Sequence, residues 1–255
     1  MGTSSIYGGQ KDKSSLLPTD YDELVNEEEK EEKPWQNVKS LMSKYINNNN
    51  RNKSGIIKKY IKASGGANNL VKNSNAGVRS TVNLGNFLAS IKQNGLYDTL
   101  RKFNIKYEGR NIEDVLSDIV NIISKDSISK EDSVAKNATV QALENIYEFI
   151  EDNNMELQAL ENMSNDMFDT VLCNYISVYI WEKMLNDLES RFEKYSSSPV
   201  EALEIENEFK QYIKNKVDIA YNKLSIKYEQ FSNKNAISLV ESIYKDCYNV
   251  LGEGL

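Results

Sequence analysis

Apolar residues recur at three- and four-residue spacing along most of this chain, the period of an α-helix that keeps one face in a core. Trp35, Val38, Leu41, Met42, Tyr45 and Ile46 share such a face behind Pro34, whose fixed φ and missing N–H suit a first helical turn. The asparagine run from Asn47 to Asn50 ends it. Ile56, Ile57, Tyr60 and Ile61 mark a second, shorter helix that stops at Gly65 and Gly66. A third is expected over Ala76 to Lys92, through Val78, Val82, Phe87, Leu88 and Ile91. Gly77 and Gly85 weaken it by about 1 kcal/mol each.

The second half keeps the period more strictly. Ile112, Val115, Leu116, Ile119, Ile122 and Ile123 form one stripe, and Val134, Ala138, Leu143, Ile146, Tyr147 and Ile150 form another over Lys130 to Ile150. Ser164 and Asp166 signal the start of a long helix carrying Phe168, Val171, Leu172, Tyr175, Tyr179, Leu185, Leu188 and Phe192. Ser196, Ser197, Ser198 and Pro199 break it. Two more helices follow, from Val200 through Ile205, Phe209, Ile213, Val217 and Leu224, and from about Lys234 through Ile237, Val240, Tyr244, Cys247 and Leu251. Long helices joined by short loops predict an all-α, multi-helix bundle, and no repeat period suggests a solenoid.

Charge divides the same chain differently. Residues 20 to 33 hold eight acidic and two basic residues, the pattern of a solvated linker. Residues 36 to 110 hold fourteen basic and two acidic residues, and residues 111 to 255 hold 13 basic and 27 acidic ones. The expected organisation is therefore a flexible tail and acidic linker over 1–33, a basic helical segment over 34–110 and an acidic helical bundle over 111–255, with the basic helices packed on the bundle.

Composition narrows the chemistry. There is no histidine, which removes the commonest general base and the commonest zinc ligand. Cys173 and Cys247 sit inside helical patterns without metal-ligand spacing and are expected to be small buried hydrophobes. No phosphate-binding loop, nucleophile elbow or dinucleotide fingerprint is present. The glycines at 65, 66 and 77 stand near helix ends, where caps are commoner than phosphate sites. No enzyme, metal or cofactor is expected. The apolar run Val171 to Trp181 is broken by Asn174 and Ser177, so no membrane span is expected, and a cytoplasmic protein fits best.

Bases interleave with aromatics in the positive segment, at Lys44 and Tyr45, Lys58, Lys59 and Tyr60, Arg101, Lys102 and Phe103, and Lys106 and Tyr107. Phosphate neutralisation beside stacking rings is what single-stranded nucleic acid requires, so Lys58, Lys59, Lys62, Arg79, Arg101 and Lys102 form a candidate patch. The competing reading places the rings in a core with the lysines bent around it, and helical spacing favours that one. An acidic partner, or the acidic half of the chain, would also suit the patch. Tyr175 and Tyr179, four apart, admit the same choice between interface stripe and core border.

The first eighteen residues do not read as core. A small residue after Met1 favours removal of the initiator, leaving the Gly2 amine with an ordinary pKa of about 7.7 to 8.0, nucleophilic near neutral pH. Gly8 and Gly9 remove Cβ atoms from the next turn, so the segment can lie extended in a narrow cleft. The myristoylation pattern is not met, because Ile6 stands where Ser or Thr is needed. A disordered Gly/Ser-rich linker is the alternative.

The run Met1, Gly2, Thr3, Ser4, then Tyr7, Gly8, Gly9, then Leu16, Leu17, Pro18 resembles the start of QatB proteins, components of bacterial Qat anti-phage defence systems. Gln10 stands where that family usually has proline. The resemblance implies three operon neighbours: an ATPase, a QueC-like protein and a TatD-like nuclease. It further implies that Gly2 is an acceptor for a deazaguanine-type group added by the QueC-like partner. Thr3, Ser4 and Ser5 would then offer hydroxyls in the partner's cleft, Tyr7 an anchoring ring, and Gly8, Gly9, Leu16, Leu17 and Pro18 the rest of the binding segment. On this reading the protein is a non-enzymatic component that presents its tail. The alternatives are a nucleic-acid-binding helical adaptor and a scaffold with an unmodified tail.

Overall fold

The stripe that runs from Phe168 to Leu188 is too broad for a surface helix. A helix apolar nearly all round must be buried nearly all round, and the computed structural model, which describes residues 34–47, 51–124, 128–195 and 198–253, puts it at the centre of the molecule. Among these residues all regular structure is helical. The elements are α1 (Pro34–Ile46), α2 (Lys53–Ala63), α3 (Ala67–Lys72), α4 (Asn75–Asn94), α5 (Leu96–Lys102), α6 (Ile112–Ile123), α7 (Lys130–Asp152), α8 (Asn165–Tyr195), α9 (Pro199–Asn222) and α10 (Ala236–Glu253). Two 3₁₀ turns, Leu157–Asn162 and Tyr228–Ser232, precede α8 and α10.

Local chemistry sets the boundaries. Asn52 and Asn111 accept from backbone N–H groups of the first turns of α2 and α6, and Ser198 does so for α9 ahead of Pro199. Ser129 opens α7 with a capping box, its hydroxyl accepting from Asp132 N while the Asp132 carboxylate accepts from Ser129 N. Gly95, at φ +83°, turns α4 into α5 through a left-handed conformation that a side chain would strain. Neither α3 nor α5 was expected from the sequence: six or seven residues are too few to display a period.

α8 is surrounded by α1, α4, α7 and α9, and from Val171 to Trp181 all its residues but Asn174 are buried. α10 closes the other side against α2, α3, α4 and α9, and α6 packs outside α4 and α7. The helices of the basic segment thus lie on those of the acidic one, in a compact unit covering 34–255. Glu208 on α9 fastens α1 and α2 to the rest. It accepts from the Tyr45 hydroxyl and pairs with Lys53 at 2.9 Å and Arg51 at 3.3 Å. The Tyr45 bond, then Lys53, hold the Glu208 carboxyl below its ordinary range.

The two glycines that weaken α4 by propensity are what let it approach its neighbours. A Cβ on Gly77 would lie 2.4 Å from the Tyr179 ring, and one on Gly85 would lie 2.2 Å from the Phe231 ring. Gly77 is therefore a packing residue and not part of a phosphate loop.

Candidate functional site

The tail residues Gly2, Thr3, Ser4, Ser5, Tyr7, Gly8, Gly9, Leu16, Leu17 and Pro18 lie outside the described residues. The basic candidates lie inside them and on different elements. Lys58, Lys59 and Lys62 are exposed on α2. Arg79 sits near the start of α4 and pairs with Asp132 at 3.3 Å. Arg101 and Lys102 end α5, beyond the far end of α4, with roughly 20 Å of helix between Arg79 and the α5 turn. Arg101 pairs with Asp98, and Lys102 lies 5.6 Å from the Phe103 ring centre. The six bases thus do not make one patch.

Nor do the interleaved rings form a stacking face. Tyr45 and Tyr60 are buried, meeting Phe209 and Trp35 edge-on, while Phe103 packs on Phe87 at 5.4 Å. Tyr107 rests on Tyr97 at 4.9 Å. The core reading of Tyr45, Tyr60 and Phe103, with lysines around them, describes what is found.

A tyrosine cluster fills the centre. Tyr175 and Tyr179 stack at 6.4 Å, Tyr179 meets Tyr244 edge-on at 5.6 Å, and Tyr244 tilts against Tyr248 at 6.4 Å. Tyr175 and Tyr179 are fully buried, so they are core and not an interface stripe. Their hydroxyls face helix ends and small polar side chains. Tyr244 lies 3.1 Å from Thr81 Oγ1, and Tyr248 lies 3.3 Å from Ser74 Oγ. Tyr179 donates to Glu131 Oε1 at 2.9 Å, and the same oxygen accepts from Ala76 N in the first turn of α4. One carboxylate thus holds a buried phenol and caps a helix N-terminus. Tyr175, beside Ser80 and Thr139, makes no hydrogen bond of good geometry. Burial raises the phenol pKa of all four above the ordinary value. Neutral, enclosed phenols serve as packing groups.

The open chemistry lies on the outer side of α8. α7 and α9 both run antiparallel to α8, and three basins line up along α8 as a groove: two lie between α7 and α9, and the third lies between α8 and α9 alone. The first, of about 460 Å³, lies among Lys130, Asn137, Glu182, Asn186 and Glu206. A second of about 340 Å³ lies among Gln141, Glu144, Asn174, Asn207 and Lys210, and a third of about 390 Å³ among Asp166, Asp169, Cys173, Lys214 and Asp218. Asn174 and Ser177, which interrupt the apolar run of α8, line the second basin. Asn174 Nδ2 donates to Asn145 Oδ1 at 2.7 Å.

One ammonium already lies across this groove. Lys210 Nζ on α9 is 2.8 Å from Glu206 and donates to Gln141 Oε1 on α7 at 3.3 Å, while Gln141 Nε2 donates to Glu182 on α8 at 3.4 Å. Burial raises the carboxyl pKa of Glu182 and of Asp169, the latter opposed by the Tyr221 hydroxyl bond of 2.9 Å. Cys173 and Cys247 are both buried free thiols, pushed up by burial, so neither is a thiolate at neutral pH. Among the described residues no cluster of three or more acidic or thiol groups is placed to hold a metal ion. Among the same residues no helix is long and apolar enough to cross a membrane.

The groove was not foreseen from the sequence. Its signal was the pair of polar residues inside an apolar helix, which counted only against a membrane span.

A family model described as Qat anti-phage system associated protein QatB matches residues 65–251. The matched stretch runs from just after α2 into α10 and includes the whole groove; it excludes the tail, whose residues carry the resemblance to the same family. No curated protein and no solved structure matches the chain.

Proposed function

The chain belongs to the QatB family of Qat anti-phage system associated proteins, and on that premise we propose that it acts in that defence system as a non-enzymatic component presenting its N-terminal tail to a QueC-like partner. Removal of Met1 exposes the Gly2 amine, and the tail enters the partner's cleft for binding or for deazaguanine-type conjugation at Gly2. Gly8 and Gly9 permit close approach of the backbone, and Tyr7 anchors the segment. The ATPase and the TatD-like nuclease of the same operon are further candidate partners. Two buried, unpaired cysteines fit a reducing cytoplasm.

The observation that carries this reading is the division of the chain at Pro34. The compact helical unit starts there, and the family match lies wholly within it. The stretch ahead of it holds Gly2, Tyr7, Gly8 and Gly9, whose residue types suit insertion into a cleft. The test is the intact mass and N-terminal peptide spectrum of the protein made alone and made with its operon neighbours. A mass gain on Gly2 only in company is expected, lost when Gly2 is replaced by leucine. An unmodified Gly2 in both preparations, with unchanged phage protection by Gly2→Leu, overturns the reading.

The exposed lysines of α2 favour nucleic-acid binding as the second reading. It requires binding of short single strands that falls steeply with salt and with Lys58→Glu and Lys59→Glu.

A further inference from the structure

Three features of the α7–α8–α9 groove point to one class of ligand. The first is charge: seven carboxylates and three lysines line its basins. The second is the carboxamide content, eight side chains, among which Gln141, Asn145 and Asn174 bond within the protein while Asn137, Asn186, Asn207 and Asn222 add a side-chain type that carries both donors and an acceptor. The third is length. From Asn186 to Asp166 the floor spans twenty residues of α8, roughly 30 Å at the rise of an α-helix.

We propose that this groove binds an extended, lysine- or arginine-rich segment of a partner protein. Carboxamides along the α9 wall, and along the α7 wall over the first two basins, offer donors and acceptors to the N–H and C=O groups of an extended backbone, and roughly 30 Å accommodates about nine residues of it. The polar floor at Asn174 does not suit the apolar stripe of an amphipathic helix. The acidic walls repel nucleic acid and attract basic side chains. Lys210 displays how such a side chain is held, its ammonium set between the Glu206 carboxylate and the Gln141 carbonyl oxygen. Glu182 and Asp169 are half-buried, so a cation placed beside them meets carboxylates already partly stripped of water. The proposal concerns the helical body and stands apart from any event at Gly2.

The test uses the full-length protein and a fluorescent nonapeptide of alternating lysine and serine, read by anisotropy. The variant Glu144→Gln, Glu148→Gln, Asp218→Asn removes three groove charges with little change in volume. A control, Glu108→Gln, Glu229→Gln, Glu241→Gln, removes three exposed charges outside the groove. About a tenfold loss of affinity in the groove variant, with the control within about twofold of the parent, is expected. Equal losses in both variants would mean general charge attraction and would overturn the site. Competition by spermine as effective as that of unlabelled nonapeptide would overturn the polypeptide assignment, and a groove covered by a second copy of this chain in sedimentation would overturn the partner.

Discussion

At Gly77 and Gly85 the side chain that is missing decides the packing. Alanine there would raise helix propensity by about 1 kcal/mol, yet its Cβ would collide with the Tyr179 or Phe231 ring. Overpacking of this kind costs about 1 to 3 kcal/mol, so Gly77→Ala and Gly85→Ala are expected to lower the melting temperature, in a direction opposite to propensity. The tyrosine hydroxyls give a second contrast. Tyr175→Phe removes a buried hydroxyl that lacks a well-formed hydrogen bond, and stability should stay level or rise. Tyr179→Phe takes a donor from the Glu131 carboxylate, and a loss of about 1.5 to 3 kcal/mol is expected. Urea denaturation of the two variants side by side checks the pair; equal losses would show that the Glu131 contact contributes nothing.

Among the elements, α8 carries a pH dependence of its own. Burial holds the Glu182 carboxyl above its ordinary value of 4.5, so the protonated form is favoured by folding. Its contribution is fully present below that value and is lost as pH rises through the higher folded pKa. Glu182→Gln should therefore be more stable than the parent at neutral pH, with the difference vanishing in acid. Asp132 in the capping box of α7 has the opposite sign. The Ser129 bonds lower its carboxyl, so its contribution is present above the ordinary value and fades as pH falls through the lowered one. Denaturant titrations across the acid range separate the two. The elements themselves were largely legible: α1, α6 and α7 start where Pro34, Ile112 and Lys130 predicted, and the break expected up to Pro199 separates α8 from α9, which starts one residue before the expected Val200. α3, α5 and the 3₁₀ turns were not, because their contacts are tertiary and too short to be periodic. The groove was hidden for a related reason. Asn174 lies in the sequence among Val171, Leu172, Tyr175 and Ile176, and only the arrangement of α7 and α9 turns that polar position into a floor.

Across the whole molecule, the family match and the folding unit do not share a boundary. The match starts at residue 65, yet Val38, Met42, Tyr45, Ile56, Ile57 and Tyr60 ahead of it are all buried. They lie on α1 and α2, which pack against α8 and α10. A chain beginning at Pro34 should therefore unfold cooperatively, whereas one beginning at residue 65 would expose the apolar flanks of α8 and α10 and should aggregate or melt far lower. Tyr60 also donates to Asp187 at 2.8 Å, so the shorter chain loses a polar tie along with the apolar contacts. The enclosure of α8 reaches into the timescale of motion. With α1, α4, α7 and α9 around it, the amides between Val171 and Trp181 can meet deuterium only when the whole bundle opens. They should be the last to exchange, at a rate set by global unfolding, while α5 and the ends of α9 exchange through local fraying.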